Sequence, residues 1–110
     1  MKRSLLTWLY FLQGPALARV LKRRQVVIVM FHGFTDRRHT GTENYDRKHL
    51  HVEKFEQFLA YLVRHHHVVS LESVVDHFAE GKALPTNPVV LTFDDGYASN
   101  YHLAYPVLKK

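Results

Sequence analysis

Two adjacent carboxylates, Asp94 and Asp95, are the residues of this chain whose type and position best suit chemistry. They follow an apolar run rich in β-branched residues and precede a glycine and an aromatic residue, in the stretch VVLTFDDGYA. Such a run predicts a buried strand that ends at the rim of a sheet. Like charges there repel each other and resist desolvation, and a divalent cation removes both costs. One acid can then hold a metal while the other transfers a proton.

Two adjacent acids can share one site only with a particular backbone conformation. Successive side chains of a strand point to opposite faces, so Asp94 and Asp95 reach one site only if the chain leaves strand geometry there. Gly96 permits this departure because glycine adopts positive φ without steric strain. The same residues also fit an ordinary strand exit, in which an aspartate caps the following helix. Both interpretations are open from these three residues alone.

A longer pattern surrounds the two acids. The stretch VVLTFDDGY, continued by ASNY and later by AYPVLKK, resembles the first catalytic motif of the polysaccharide deacetylases, carbohydrate esterase family 4, whose domain is called NodB-like. The upstream stretch VVIVMFHGFTD, residues 26–36, resembles the first strand of that family. The resemblance covers about residues 25–110, and the TFDDG core is its most specific part.

The resemblance implies a role for each acid. Asp94 corresponds to the catalytic base that takes a proton from the attacking water, and Asp95 corresponds to a ligand of a divalent metal, zinc. The family completes its metal site with two histidines from a later His-(Ser/Thr)-x-x-His motif. No two of the nine histidines here have that spacing. Two metal ligands are therefore expected to be absent from this chain.

The implied function is that of a metal-dependent hydrolase acting on a polysaccharide. It removes N-acetyl groups from an amino-sugar polymer, which breaks a carbon–nitrogen bond that is not a peptide bond. Because the later motifs are missing, we expect the chain alone to be inactive. The alternative is a non-catalytic fragment that at most binds carbohydrate or a partner protein. A phosphate-cleaving hydrolase would require a glycine-rich loop that cradles phosphate, and the sequence has none.

Several other polar residues are candidates for a pocket around the two acids. His32 ends the first apolar run, and His32 and Tyr97 are expected to contact the substrate or to support the metal ligands. His32 is alternatively a polar strand terminator bonded to the backbone. His49 and His51 could present two imidazoles on one side of an extended segment. The run His65–His67 lies at a predicted helix end, where its members point in different directions.

The coarse pattern alternates strands with helices, which predicts an α/β fold with parallel strands. The resemblance makes it the N-terminal portion of a distorted (β/α) barrel, incomplete in this chain. Sites in such sheets lie at the C-terminal ends of strands, where His32 and Asp94 both fall. The predicted elements are strands over 26–31, 67–70 and 89–93, a loop over 35–51, and helices over 52–64, 71–80 and 98–110, the last kinked or shortened at Pro106.

The apolar pattern also predicts which faces are buried. The continuous run over 26–31 is typical of a strand buried on both faces. Helix 71–80 is expected to begin after the cap Ser70 and to end at Gly81. The side chains expected in the core are Phe55, Phe58, Leu59 and Leu62 of one helix, and Leu71, Val74, Val75 and Phe78 of the other.

Charge divides the chain into two predicted parts, residues 1–24 and a partial deacetylase domain over 25–110. Residues 1–24 contain six basic residues and no acid, whereas the remainder holds nine basic and ten acidic residues. The first part is interpreted as an amphipathic helix that contacts an anionic membrane surface or packs on the domain. This favours a cytoplasmic or membrane-peripheral location. The alternative is a signal peptide with the apolar core LLTWLYFL, which implies export.

Two classes of partner or chemistry receive no support from the composition. The chain has no cysteine, which excludes disulfides and thiolate metal sites. Residues 25–110 show no face on which basic and aromatic residues alternate, so we expect no nucleic-acid partner.

Overall fold

A computed structural model describes residues 25–110, and both interpretations of residues 1–24 lie outside the described part. The elements follow in the order β1 (Val27–Phe31), β2 (Gly33–Thr35), β3 (His49–His51), α1 (Val52–His65), β4 (His67–Val68), α2 (Leu71–Glu80), β5 (Pro88–Phe93), a π-helical turn (Asn100–Ala104) and α3 (Tyr105–Leu108). The mixture of strands and helices confirms the α/β prediction.

Two small parallel sheets form the framework. One has the strand order β1–β5–β4, and the other pairs β2 with β3. Val27 of β1 lies opposite Val89 of β5, and the register continues to Phe31 opposite Phe93. Pro88, which has no backbone N–H, occupies the first residue of β5, where a proline disturbs the ladder least. Parallel pairing brings the C-terminal ends of β1 and β5 to the same edge.

Local sequence signals fix the start of α1 and both ends of α2. The ring Nδ1 of His51 accepts the backbone N–H of Glu53 at 3.3 Å at the start of α1. Ser70 Oγ accepts the N–H of Ser73 at 3.1 Å at the start of α2, and Gly81 ends that helix with a left-handed φ of 70°. The predicted cap Ser70 and exit Gly81 are therefore confirmed.

An aromatic core lies between β2, α1 and the C-terminal helical turns. Phe34, Phe55 and Ala104 form its buried centre. The ring centroids of Phe34 and Phe55 are 4.6 Å apart, and Phe31 meets Phe55 edge-on at 5.1 Å. Edge-on and tilted aromatic pairs at these distances add to the stability that comes from burial alone. The core thus supports the edge at which β1 ends.

Burial differs from the prediction on two elements. β1 is not buried on both faces, because Val27, Ile28 and Met30 are 43%, 54% and 58% exposed. Within residues 25–110, β1 pairs with β5 alone, and its outer side has no strand beside it. On α2 only Val74 is buried, whereas the apolar residues expected beside it in the core are exposed: Leu71, Val75 and Phe78. The apolar stripe of α1 is confirmed, with Phe55 and Leu62 buried.

The predicted loop over 35–51 and the predicted strand over 67–70 are both longer than the structure shows. Thr35 belongs to β2 and residues 49–51 form β3, and these parallel strands pair Gly33 with His49 and Thr35 with His51. Three-residue strands are too short to show a periodic pattern, so sequence periodicity could not reveal them. β4 covers only His67–Val68.

Proline shortens the last helix, as predicted. The N–H of Tyr105 donates to the carbonyl of Asn100, five residues back, in the π-helical turn that precedes Pro106. Proline has no N–H for the ladder and crowds the preceding turn, and a π-helical turn accommodates it. Among residues 25–110, no helix has both the length and the apolar character to cross a membrane.

Candidate functional site

The predicted site residues follow the C-terminal ends of β1 and β5, which lie at one edge of the sheet. Phe31 and Phe93 are register partners, and their rings stack with centroids 5.5 Å apart. The backbone N–H of Asp94 donates to the carbonyl of Phe31 at 2.8 Å, which extends the β1–β5 ladder by one bond. His32 and Asp94 therefore begin from adjacent positions on neighbouring strands. We call His32, Asp94, Asp95 and Tyr97 the carboxylate edge.

The backbone departs from strand geometry at Asp95, one residue before Gly96. Asp95 itself has a φ of 65°, and Gly96 follows with a φ of 59°. Aspartate is among the few residues with a side chain that visit this left-handed region. Two successive left-handed residues turn the chain sharply after Asp94. Asp94 and Asp95 can share a site only if the chain leaves strand geometry between them, and this turn meets that condition. Asp94 is half-buried and the Asp95 side chain is 51% exposed.

The structure brings His32 to Asp95. Nε2 of His32 lies 4.0 Å from Oδ2 of Asp95, and the imidazole is 28% exposed. This distance exceeds that of a hydrogen bond, but it is short enough for attraction between the carboxylate and a protonated ring. One imidazole nitrogen and one carboxylate oxygen thus lie close together beside the strand ends.

His49 is a residue of this neighbourhood that sequence reasoning did not connect with the carboxylate edge. Its ring meets the ring of Tyr97 edge-on, with centroids 4.8 Å apart. The same imidazole lies against Gly33, where an added Cβ would overlap Nδ1 of His49. The glycine directly after His32 was the one available signal, because a missing side chain there allows a close approach.

A hydrogen bond between distant residues fixes the turn against the second sheet. The N–H of Phe34 in β2 donates to Oγ of Ser99 at 2.9 Å. Ser99 lies two residues after Tyr97, so this bond ties the segment that follows Gly96 to the buried strand β2. The position of Tyr97 is thereby coupled to the aromatic core through Phe34.

The donors at the edge do not complete a metal site. Within residues 25–110, no three histidine, cysteine, aspartate or glutamate side chains are grouped so that they could hold a metal ion. Asp95 and His32 offer two donors of the kind that zinc accepts, whereas catalytic zinc takes three protein ligands and a water. The residues present therefore fit part of such a site and not the whole.

A separate cavity of about 670 Å³ opens next to His49. It lies between β2, the loop of residues 36–48, β3 and the first turn of α1. None of the four residues of the carboxylate edge lines it, although His49 does. The edge and the cavity therefore share His49 as a neighbour: its ring contacts Tyr97 and also forms part of the cavity wall.

Comparison with known proteins agrees with the sequence motif. The chain is 41% identical over 54 residues to the poly-beta-1,6-N-acetyl-D-glucosamine N-deacetylase of Escherichia coli strain K12, and equally to that of strain O157:H7. This chain resembles the N-terminal part of a polysaccharide deacetylase. The matched segment is 49% of this chain and 8% of the E. coli protein. No family model matches the chain.

The fold agrees with a solved deacetylase structure. The chain superposes on the de-N-acetylase of Aggregatibacter actinomycetemcomitans with a TM-score of 0.62 at 24% identity. The superposition covers 76% of this chain and 33% of that protein. At this identity the likeness concerns the fold, an arrangement of parallel strands and helices. The chain thus spans about a third of the solved relative's length.

Proposed function

We propose that this chain carries the first catalytic segment of a polysaccharide N-deacetylase. In this proposal, residues 25–110 form the N-terminal portion of a distorted (β/α) barrel, and the substrate is an amino-sugar polymer bearing N-acetyl groups. The observation that carries the proposal is the carboxylate edge: two aspartates follow a strand beside His32, in a chain that is 41% identical to a known deacetylase over 54 residues.

Asp94 is assigned the role of general base. It is half-buried at the end of β5, and its backbone is held by the hydrogen bond to Phe31. A carboxylate so fixed can accept the proton of a water that attacks the amide carbonyl, provided that it stays anionic. His32 and Tyr97 flank the turn, where they would contact the sugar or support Asp95.

Asp95 is assigned to a divalent metal, zinc. A bound zinc ion would polarise the amide carbonyl and lower the pKa of its water. Residues 25–110 do not supply the remaining ligands, so the chain by itself is proposed to be inactive. The alternative is a fragment that has no catalytic role and at most binds carbohydrate or a partner protein; the incomplete donor set favours it for the chain alone.

Zinc titration separates these two possibilities. If Asp95 is a metal ligand, calorimetry on the 110-residue chain should detect weak zinc binding that Asp95→Ala abolishes, whereas no zinc binding would favour the non-catalytic fragment. Tight, stoichiometric binding that needs Asp95 would instead indicate an autonomous site. Zinc binding that persists in Asp95→Ala would contradict the assignment of Asp95.

Catalytic roles are tested in a chimaera in which residues 25–110 replace the structurally equivalent segment of the A. actinomycetemcomitans protein. Asp94→Asn should retain metal and lower acetate release by about 10²–10⁴-fold, the usual contribution of a general base. Asp95→Ala should lose metal. Glu72→Gln, an exposed carboxylate on α2, is the matched control and should change neither. Full activity in both aspartate variants would end the proposal.

A further inference from the structure

The wall of the cavity beside His49 is strongly basic. Four permanent cations line it, namely Arg37, Arg38, Arg47 and Lys54, against a single lining carboxylate, Glu53. Residues 25–110 as a whole have one more acid than base, so this concentration is a local feature. We call this space the basic cavity.

Specific hydrogen bonds build the wall from the loop of residues 36–48. The Asn44 side chain accepts the N–H of His49 at 2.9 Å and donates to its carbonyl at 2.8 Å, which ties the loop to β3. The N–H of Arg47 donates to the carbonyl of Asn44 at 2.9 Å, and the N–H of Arg37 donates to Thr35 Oγ1 at 3.2 Å. The backbones of Arg37 and Arg47 are therefore held in place by hydrogen bonds.

Within the described part of the chain, one of the four cations, Arg37, is paired with a carboxylate. Nη1 of Arg37 lies 3.1 Å from Oε2 of Glu43. Within residues 25–110, no carboxylate lies within 4.0 Å of the charged groups of Arg38, Arg47 or Lys54. Three uncompensated positive charges around one concave space raise the local potential and concentrate anions there.

We propose that the basic cavity binds a phosphate-class oxyanion, either free or as a substituent of a larger ligand. A carboxylate is satisfied by one guanidinium fork, whereas a phosphate carries nearly two negative charges on several terminal oxygens. Arg38, Arg47 and Lys54 come from three separate places in the chain and match such a multiply charged group. The cavity is lined by none of the carboxylate-edge residues, so this inference does not depend on deacetylase activity.

The test is a titration of the complete 110-residue chain with inorganic phosphate, followed by ¹H–¹⁵N NMR at neutral pH and constant ionic strength. Saturable shifts are expected in residues 37–54 and not in α2. Arg47→Ala and Lys54→Gln should each weaken binding by about tenfold, which corresponds to one charge-assisted hydrogen bond. Arg47→Lys, which keeps the charge and loses the fork, should weaken it less.

Arg64→Ala is the matched control, because Arg64 lies in the last turn of α1, outside the cavity. It should leave phosphate binding unchanged. A parallel titration with N-acetylglucosamine 6-phosphate distinguishes the two sources: tighter binding than phosphate indicates a substituent, and equal binding indicates free phosphate. Preference for acetate or glucuronate, equal shifts with chloride, or equal weakening in Arg64→Ala would overturn the proposal.

Discussion

The carboxylate edge and the basic cavity are neighbours with opposite charge and different construction. The carboxylate edge is held by the pairing of β1 with β5 and by the stacked rings of Phe31 and Phe93 at the ends of these strands. The cavity wall is held by polar contacts of an exposed loop, such as the Asn44 bonds to His49. The comparison teaches that strand pairing and aromatic packing set the position of the acids, whereas polar contacts within a loop set the position of the cations on it.

Loss of a side chain from the aromatic core that supports the edge should have the largest effect on stability. Phe55 is fully buried, so Phe55→Ala should lower the free energy of unfolding by about 3–5 kcal/mol, through lost burial and a residual cavity. Urea unfolding followed by circular dichroism measures the change. Phe78→Ala removes the same side chain from a 75% exposed position and should change stability by less than about 0.5 kcal/mol. Equal losses would contradict the described core.

An added methyl group at Gly33, which contacts the His49 ring between the edge and the cavity, should have the next largest effect on stability. In Gly33→Ala the new methyl group would overlap the His49 ring, which predicts a loss of about 1–3 kcal/mol, as for overpacked sites. His49 should also move away from Tyr97, which removes the nuclear Overhauser contact between their rings. Gly41→Ala, at a loop glycine with open space around it but a left-handed φ of 59°, strains its own backbone and should still keep that contact. An intact contact in Gly33→Ala would refute this packing.

Loss of the Ser99 hydroxyl should loosen the turn without disturbing the cavity. Ser99→Ala leaves the part-buried N–H of Phe34 without its acceptor, at a cost of about 1–3 kcal/mol. Hydrogen exchange of the Phe34 amide should accelerate. Ser73→Ala, which removes only the exposed hydrogen bond between the hydroxyls of Ser70 and Ser73, serves as the control and should leave that amide protected. Unchanged exchange in Ser99→Ala would show that the bond does not hold the turn.

Acid should weaken the loop of residues 36–48, with the smallest effect of the four. The N–H of Thr40, followed by the Arg37 guanidinium, holds the pKa of Glu43 below its ordinary value of 4.5. Because the pKa is lowered on folding, the loop gains stability above pH 4.5 and loses it as the pH falls through the folded-state pKa. The Thr40 amide resonance should report this transition below pH 4.5, and Glu43→Gln should abolish it. Persistence of the transition in Glu43→Gln would assign it to another group.

Much of the fold could be predicted because its signals are local. The run ending at Phe93, the apolar stripe of α1, the cap Ser70 and the break at Pro106 each depend on residues close in sequence. The placement of His32 and Asp94 at one edge also followed, because parallel strands end on the same side. The roles of Asp94 and Asp95 in catalysis and metal binding stay predictions.

Burial and cross-chain contacts could not be predicted in the same way. The apolar residues of β1 look like a buried strand in sequence, but their exposure depends on which element packs beside them. The left-handed φ of Asp95 could likewise not be predicted, because Gly96 by itself is sufficient for a turn.

The sequence by itself determined an acidic strand end, the alternation of strands and helices, and the resemblance to polysaccharide deacetylases, because these depend on residue order. Only the tertiary structure decided that His49 lies against Gly33 and Tyr97, and that three cations with no carboxylate partner among residues 25–110 surround one cavity. Those contacts join residues far apart in the chain, and their geometry exists only after the strands have paired and the aromatic core has packed.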